Sequence, residues 1–217
     1  MNPALIELII LAGIAVFLFL RLRSVLGTRE GFEKPRMQPK NDAPKRDFKV
    51  IDGGEDKDIT DNVEKNSKSA KALKNIKEKD ETFTVNEFLS GARSAYEWIL
   101  MSFEKNEIDD IRELLSEEVA EAFDSVVEQR ISQGLTIEAE FIGVREMKLV
   151  NASYNSKTKT AEIAVSFIGE MTSVVKNSSG EIVEGDSKQI KRQKDTWTFS
   201  KDIQSDNPNW LLVATGE

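Results

Sequence analysis

Few residues in this chain could do acid–base or nucleophilic chemistry, because its 217 residues include no histidine and no cysteine. That removes the commonest general base and metal ligand, every thiolate nucleophile and every disulfide. Tyr96, Tyr154 and the carboxylates Glu138, Glu140 and Glu162 remain as general acid–base candidates. Glu138 and Glu140 fall on the polar side of an alternating stretch, and Asp109-Asp110 are adjacent on a helix and share no face. Ordinary core and surface roles account for all of them, so no catalytic residues are expected and the chain does not read as an enzyme. Asp52, Glu55, Asp56, Asp58 and Asp61 form an acidic run without the spacing, glycine and closing glutamate of a calcium loop, so no metal is expected. Gly53-Gly54 and Ser179-Gly180 are turn signals, not a phosphate-cradling loop, and no cofactor is expected.

What remains is binding. Lys65, Lys68, Lys71, Lys74 and Lys77 recur every third residue beside a thin apolar side of Val63, Ala70, Leu73 and Ile76. Residues 64–80 read either as a basic amphipathic helix on an anionic surface or as a solvated lead-in to the domain. With Arg21 and Arg23 these lysines are the candidates for contact with lipid headgroups. Phe88, Tyr96, Phe103, Phe123, Phe141, Trp197, Phe199 and Trp210, with Phe167, are expected to converge on the interior. They read as an ordinary core, or as the lining of an incompletely filled cavity for a lipid tail or a partner's apolar segment.

The elements that position these residues follow from periodicity. Pro3 to Leu22 carries no charge but Glu7 and Arg21, and as a helix it is about 30 Å long, enough to cross a bilayer. No basic residue precedes it and no small-residue cleavage site follows, which favours an uncleaved anchor over a secretory signal. Arg21, Arg23, Arg29, Lys34 and Arg36 place the C-terminal body in the cytoplasm or its organellar equivalent. After the anchor, 1–26, comes a linker, 27–63, expected to be disordered from Pro35, Pro39, Pro44, Gly53-Gly54 and its mixed charge. A flexible chain of that length has an r.m.s. span of roughly 30–36 Å. The lead-in helix, 64–80, follows, and then the domain, 81–217. There Thr84 starts a helix with apolar positions from Phe88 to Phe103, and Asn106 breaks it. A short helix runs from Ile108 to Leu115, and Ser116 caps another that Gly134 ends. The period then becomes two, with a bulge expected at Ile142-Gly143, a bend at Gly169, a strand from about Ser187 to Lys201 and a last strand from Trp210 to Thr215. Three helices before a bent antiparallel meander give an α+β order.

Charge divides along the same boundaries. The chain carries net −8, and residues 81–217 alone hold 14 basic against 25 acidic side chains, net −11. A domain of that sign is not expected to bind nucleic acid.

The end of the chain, Asp195-Thr196-Trp197-Thr198-Phe199-Ser200-Lys201-Asp202 followed by Ser205-Asp206-Asn207-Pro208-Asn209-Trp210-Leu211-Leu212-Val213-Ala214-Thr215, resembles the terminal signature of the Tim-forty-four-like domain family. The resemblance is closest to bacterial, α-proteobacterial-type membrane adaptors. It extends to Arg21-x-Arg23-Ser24-Val25-Leu26-Gly27, to Phe88-Leu89-x-Gly91-Ala92-x-x-Ala95-Tyr96 and to Leu114-Leu115-Ser116-x-Glu118-Val119-x-x-Ala122-Phe123. It implies a cone-like fold of the nuclear-transport-factor-two kind, with about three helices in a curved sheet, and membrane contact through helices upstream of the domain, where Lys65 to Lys77 stand. The function it implies is a membrane-tethered adaptor at a bacterial inner membrane, or the matrix side of the mitochondrial one. Its protein partners would belong to a translocase, chaperone or assembly machine. A lipid- or small-ligand-binding cone and a secretion-channel scaffold are the alternatives.

Overall fold

The computed structural model describes residues 56–205 and 207–216. The expected anchor, with Arg21 and Arg23, and most of the expected linker lie outside them. Among the described residues no helix is long and apolar enough to cross a membrane.

Order begins before the expected end of the linker. Asp56 caps a short helix, α1 (Lys57–Thr60), by accepting from the Asp58 N–H, and Ile59 is buried. This part of 27–63 is therefore structured, because Ile59 and the neighbouring Val63 pack on the core. The expected helix 64–80 is shorter at its start. Asn66 has φ 65°, which a right-handed helix cannot hold, and Ser67 accepts from the Ala70 N–H to open α2 (Lys68–Lys79). In α3 (Val85–Glu104) the Thr84 hydroxyl accepts from the Glu87 N–H at 3.1 Å and donates to its carboxylate at 3.0 Å, the expected N-cap. A 3-10 turn, Ile108–Leu114, follows Asn106, and α4 (Glu117–Ser132) starts on Ser116. Its end is a Schellman closure. Gly134 sits at φ 66°, its N–H reaches Ile131 O at 2.9 Å, and the Leu135 N–H reaches Arg130 O at 3.0 Å.

The remaining residues form one antiparallel meander in the order β1 (Thr136–Asn155), β2 (Thr160–Lys176), β3 (Ile182–Asp202) and β4 (Leu211–Gly216). The register of β1 against β2 shifts at Phe141/Gly143, at Val144/Glu146 and at Leu149/Asn151. Each shift adds twist and bends the strand, and the first is the bulge expected at Ile142-Gly143. Gly169, where a bend is expected, keeps its pairing with Val144 and Gln193, and the second register shift of β1 lies opposite it. The strand expected from Ser187 begins at Ile182.

The helices pack with this sheet as an α+β fold. The inward residues of β2, Ala161, Ile163, Val165 and Phe167, are each 0% exposed. β4 is held to the helices by a bridge from Leu115 to Leu212 and by the Ser116 N–H, which donates to Leu212 O at 2.9 Å.

Candidate functional site

Most of the expected aromatic residues join in one chain of ring contacts, while Phe103 and Phe123 form a separate pair at 4.5 Å. Phe83 and Phe88 meet Trp210 at 5.8 and 4.8 Å, Phe88 meets Phe199 at 6.0 Å, and Phe199 meets Trp197 at 6.3 Å. Trp197 meets Tyr96 at 4.7 Å, and Tyr96 stacks on Phe167 at 4.4 Å and touches Phe141 at 6.1 Å. The expected apolar candidates therefore do not line a single interior void. Tyr96 and Phe167 are fully buried, while Phe88, Phe199 and Trp210 line one space and Phe103, Phe123 and Trp197 line another.

The larger space is an open groove of about 370 Å³ between α3 and the β3–β4 connection. Phe83, Phe88, Phe199 and Trp210 wall it, and Gly91, Ala92 and Ala95 leave its helix side low. A Cβ added at Gly91 would meet nothing within 4 Å. One end is polar. Asp80 accepts from the Thr82 hydroxyl at 2.6 Å, the Thr82 N–H at 3.0 Å and the Lys201 ammonium at 3.3 Å. Burial alone would raise this carboxyl, but the Thr82 and Lys201 contacts prevail and hold it below the ordinary aspartate value.

The smaller space, about 160 Å³, is lined by Phe103, Phe123 and Trp197 together with Glu104, Gln193, Asp195 and Thr215. Asp195 is 8% exposed and accepts from the Tyr96 hydroxyl at 2.5 Å and the Gln193 amide at 3.0 Å. Burial pushes the Tyr96 phenol far above its ordinary range, and the Asp195 carboxylate pushes it the same way. The phenol therefore stays protonated and its hydroxyl is committed to Asp195. Glu104 faces Arg130 at 3.8 Å, and the Arg130 guanidinium lies 4.3 Å over the Phe103 ring. Burial raises the Glu104 carboxyl against the pull of Arg130.

The lysine series divides. Lys68, Lys71 and Lys74 stand on the exposed side of α2, and Lys65 lies in the turn before it. Lys77 does not share that role. Its ammonium donates to Asp56 at 2.7 Å and Asp58 at 2.9 Å, and Asp58 also accepts the N–H groups of Val85 and Asn86 at the start of α3. Burial would raise the Asp58 carboxyl, but the bond from Lys77 and the two amides outweigh it and lower the value. Asp58, read from sequence as part of a solvated acidic run, is thus a cap that joins three helices, and Lys77 is its counter-ion. The apolar side of α2 is also occupied. Leu73 and Ile76 are fully buried, and the Ser69 hydroxyl accepts from the Ala152 N–H of β1. Glu138 and Glu140 are exposed, as their alternation predicts, Glu162 is exposed as well, and Glu138 pairs with Lys176.

Sequence reasoning missed Asp80, Asp195, Gln193 and Lys201. A signal existed, since Asp195 and Lys201 share the period-two face of Trp197 and Phe199.

No curated protein matches the chain. Among solved structures it is similar to the intermembrane-space region of the chloroplast protein ARC6, at 8% identity and a TM-score of 0.40, over 59% of this chain and 94% of that one. The family profile of the Tim44-like domain matches residues 69–217, from α2 through β4. The chain therefore belongs to the Tim44-like domain family.

Proposed function

We propose that this protein is a membrane-associated adaptor whose domain docks other proteins at the inner membrane during translocation, assembly or quality control. The domain is a cone-like member of its family, tethered by the span at 1–26, and it carries out no catalytic step. The observation that carries this reading is the open groove, with four aromatic walls and a charged end at Asp80 and Lys201. It has the form of a pocket for an aromatic or aliphatic anchor, the feature that concentrates binding energy in protein interfaces. Family membership supports the same reading. Tethering raises the local concentration of a partner without adding a contact. Lys68, Lys71 and Lys74 can touch anionic headgroups electrostatically, without insertion, because the apolar side of α2 is buried in the domain.

A photo-crosslinking residue at Gly91 in the full chain, in native membranes, tests this reading. Capture of translocase, chaperone or assembly proteins that is lost when residues 1–26 are removed is the expected result. Recovery of lipid alone overturns it and favours the lipid-binding alternative, and capture of the same proteins without the span overturns the tether.

A further inference from the structure

The smaller cavity has a charge balance the groove lacks. Asp195 is almost wholly buried, its two hydrogen-bond donors are neutral, and among the described residues no cation pairs with it. A buried carboxylate in that condition is costly unless a positive group reaches it. Across the cavity stands Glu104, whose side chain is 15% exposed and whose contact with Arg130 is a loose 3.8 Å. Arg130 and, at longer range, Lys191 act on Glu104, and neither forms an ion pair with Asp195. The walls between the two carboxylates are Phe103, Phe123 and Trp197, whose ring faces attract cations. The chain already uses one such face, since Arg130 lies 4.3 Å over Phe103. An apolar occupant would leave Asp195 uncompensated, and an anion would be repelled by both acids.

We propose that this cavity is a receptor pocket for an organic cation, the ammonium or guanidinium head of a lysine or arginine side chain presented by a protein partner. Asp195 and Glu104 supply the charge, the three rings hold the alkyl stem and the head, and the net −11 of residues 81–217 draws basic segments toward it. The assignment of the cation to a partner rests on the docking function proposed above; the pocket itself does not.

The test is calorimetric titration of the purified full chain in detergent with n-butylammonium, n-butylguanidinium and, as a neutral match, 1-butanol. The cations are expected to bind and butanol not to. Asp195→Asn should weaken cation binding by about tenfold. Glu104→Gln, at the rim, should weaken it in the same direction, and stands as the readout if the first variant fails to fold. Equal binding of butanol, or unchanged affinity in the folded variants, overturns the pocket. A blocked peptide with one lysine, compared with its norleucine counterpart and with spermidine, separates the sources. Tighter binding of the lysine peptide supports the partner side chain, and tighter binding of spermidine overturns that source. None of these readings depends on crosslinking at the groove, so the two proposals fail separately.

Discussion

At the scale of single residues, the strongest constraint is the close approach of Tyr96 to Gly169. A Cβ at position 169 would lie 2.6 Å from the Tyr96 hydroxyl oxygen, and the ring cannot retreat because it is stacked on Phe167 and bonded to Asp195. Gly169→Ala is expected to cost about 1–3 kcal/mol by overpacking. Tyr96→Phe removes the colliding atom, so the glycine substitution should cost less in that background, a coupling that urea unfolding of the unsubstituted protein and the three variants measures. From sequence this glycine read as a bend, because a glycine in a strand signals bulge and close approach alike. Asp58 is as hard to foresee, for its partners lie 19 to 28 positions away. Its depressed carboxyl makes a stabilising contribution that is complete above the ordinary aspartate value near 3.8 and is lost as pH falls through the lower folded value. Asp58→Ala should cost about 0.5–2 kcal/mol at neutral pH, as lost caps do. It should also flatten the acid limb of stability against pH, the Asp80 contribution remaining.

At the scale of elements, local rules were readable wherever both the signal and its partner are close in sequence. Thr84, Ser116 and Gly134 act as their types and positions predict, and the burial of β2 follows its alternation. Failures lie where a tertiary contact decides. The apolar side of α2 has the same pattern whether it meets lipid or β1, and only the structure shows it against β1. Leu73→Ala should therefore destabilise the whole domain by about 2–5 kcal/mol, a core value, measured by thermal or urea unfolding. Replacing Lys68, Lys71 and Lys74 together by glutamine should leave stability within about 0.5 kcal/mol, as surface changes do. It should weaken sedimentation with anionic vesicles, most at low salt, where charges are least screened. Equal vesicle binding by the triple variant would show that α2 makes no headgroup contact.

At the scale of the whole domain, helices before a meander was legible because period changes are long-range averages. The stacking of Tyr96 on Phe167 was not, since the same aromatic spacing serves a packed core or a lined void, and ring positions depend on how three bulges coil β1. The order of the halves has a further consequence, in time. Tyr96 finds Asp195 across 99 positions, and at roughly 5–20 residues per second a ribosome needs about 5–20 s to make the strand that covers the α3 face. A nascent chain arrested before Asp195 should therefore be cut by protease within α3, and one arrested after β4 has left the ribosome should resist. Through that interval the unfinished protein presents Phe88, Tyr96 and Ile99 to whatever surrounds it.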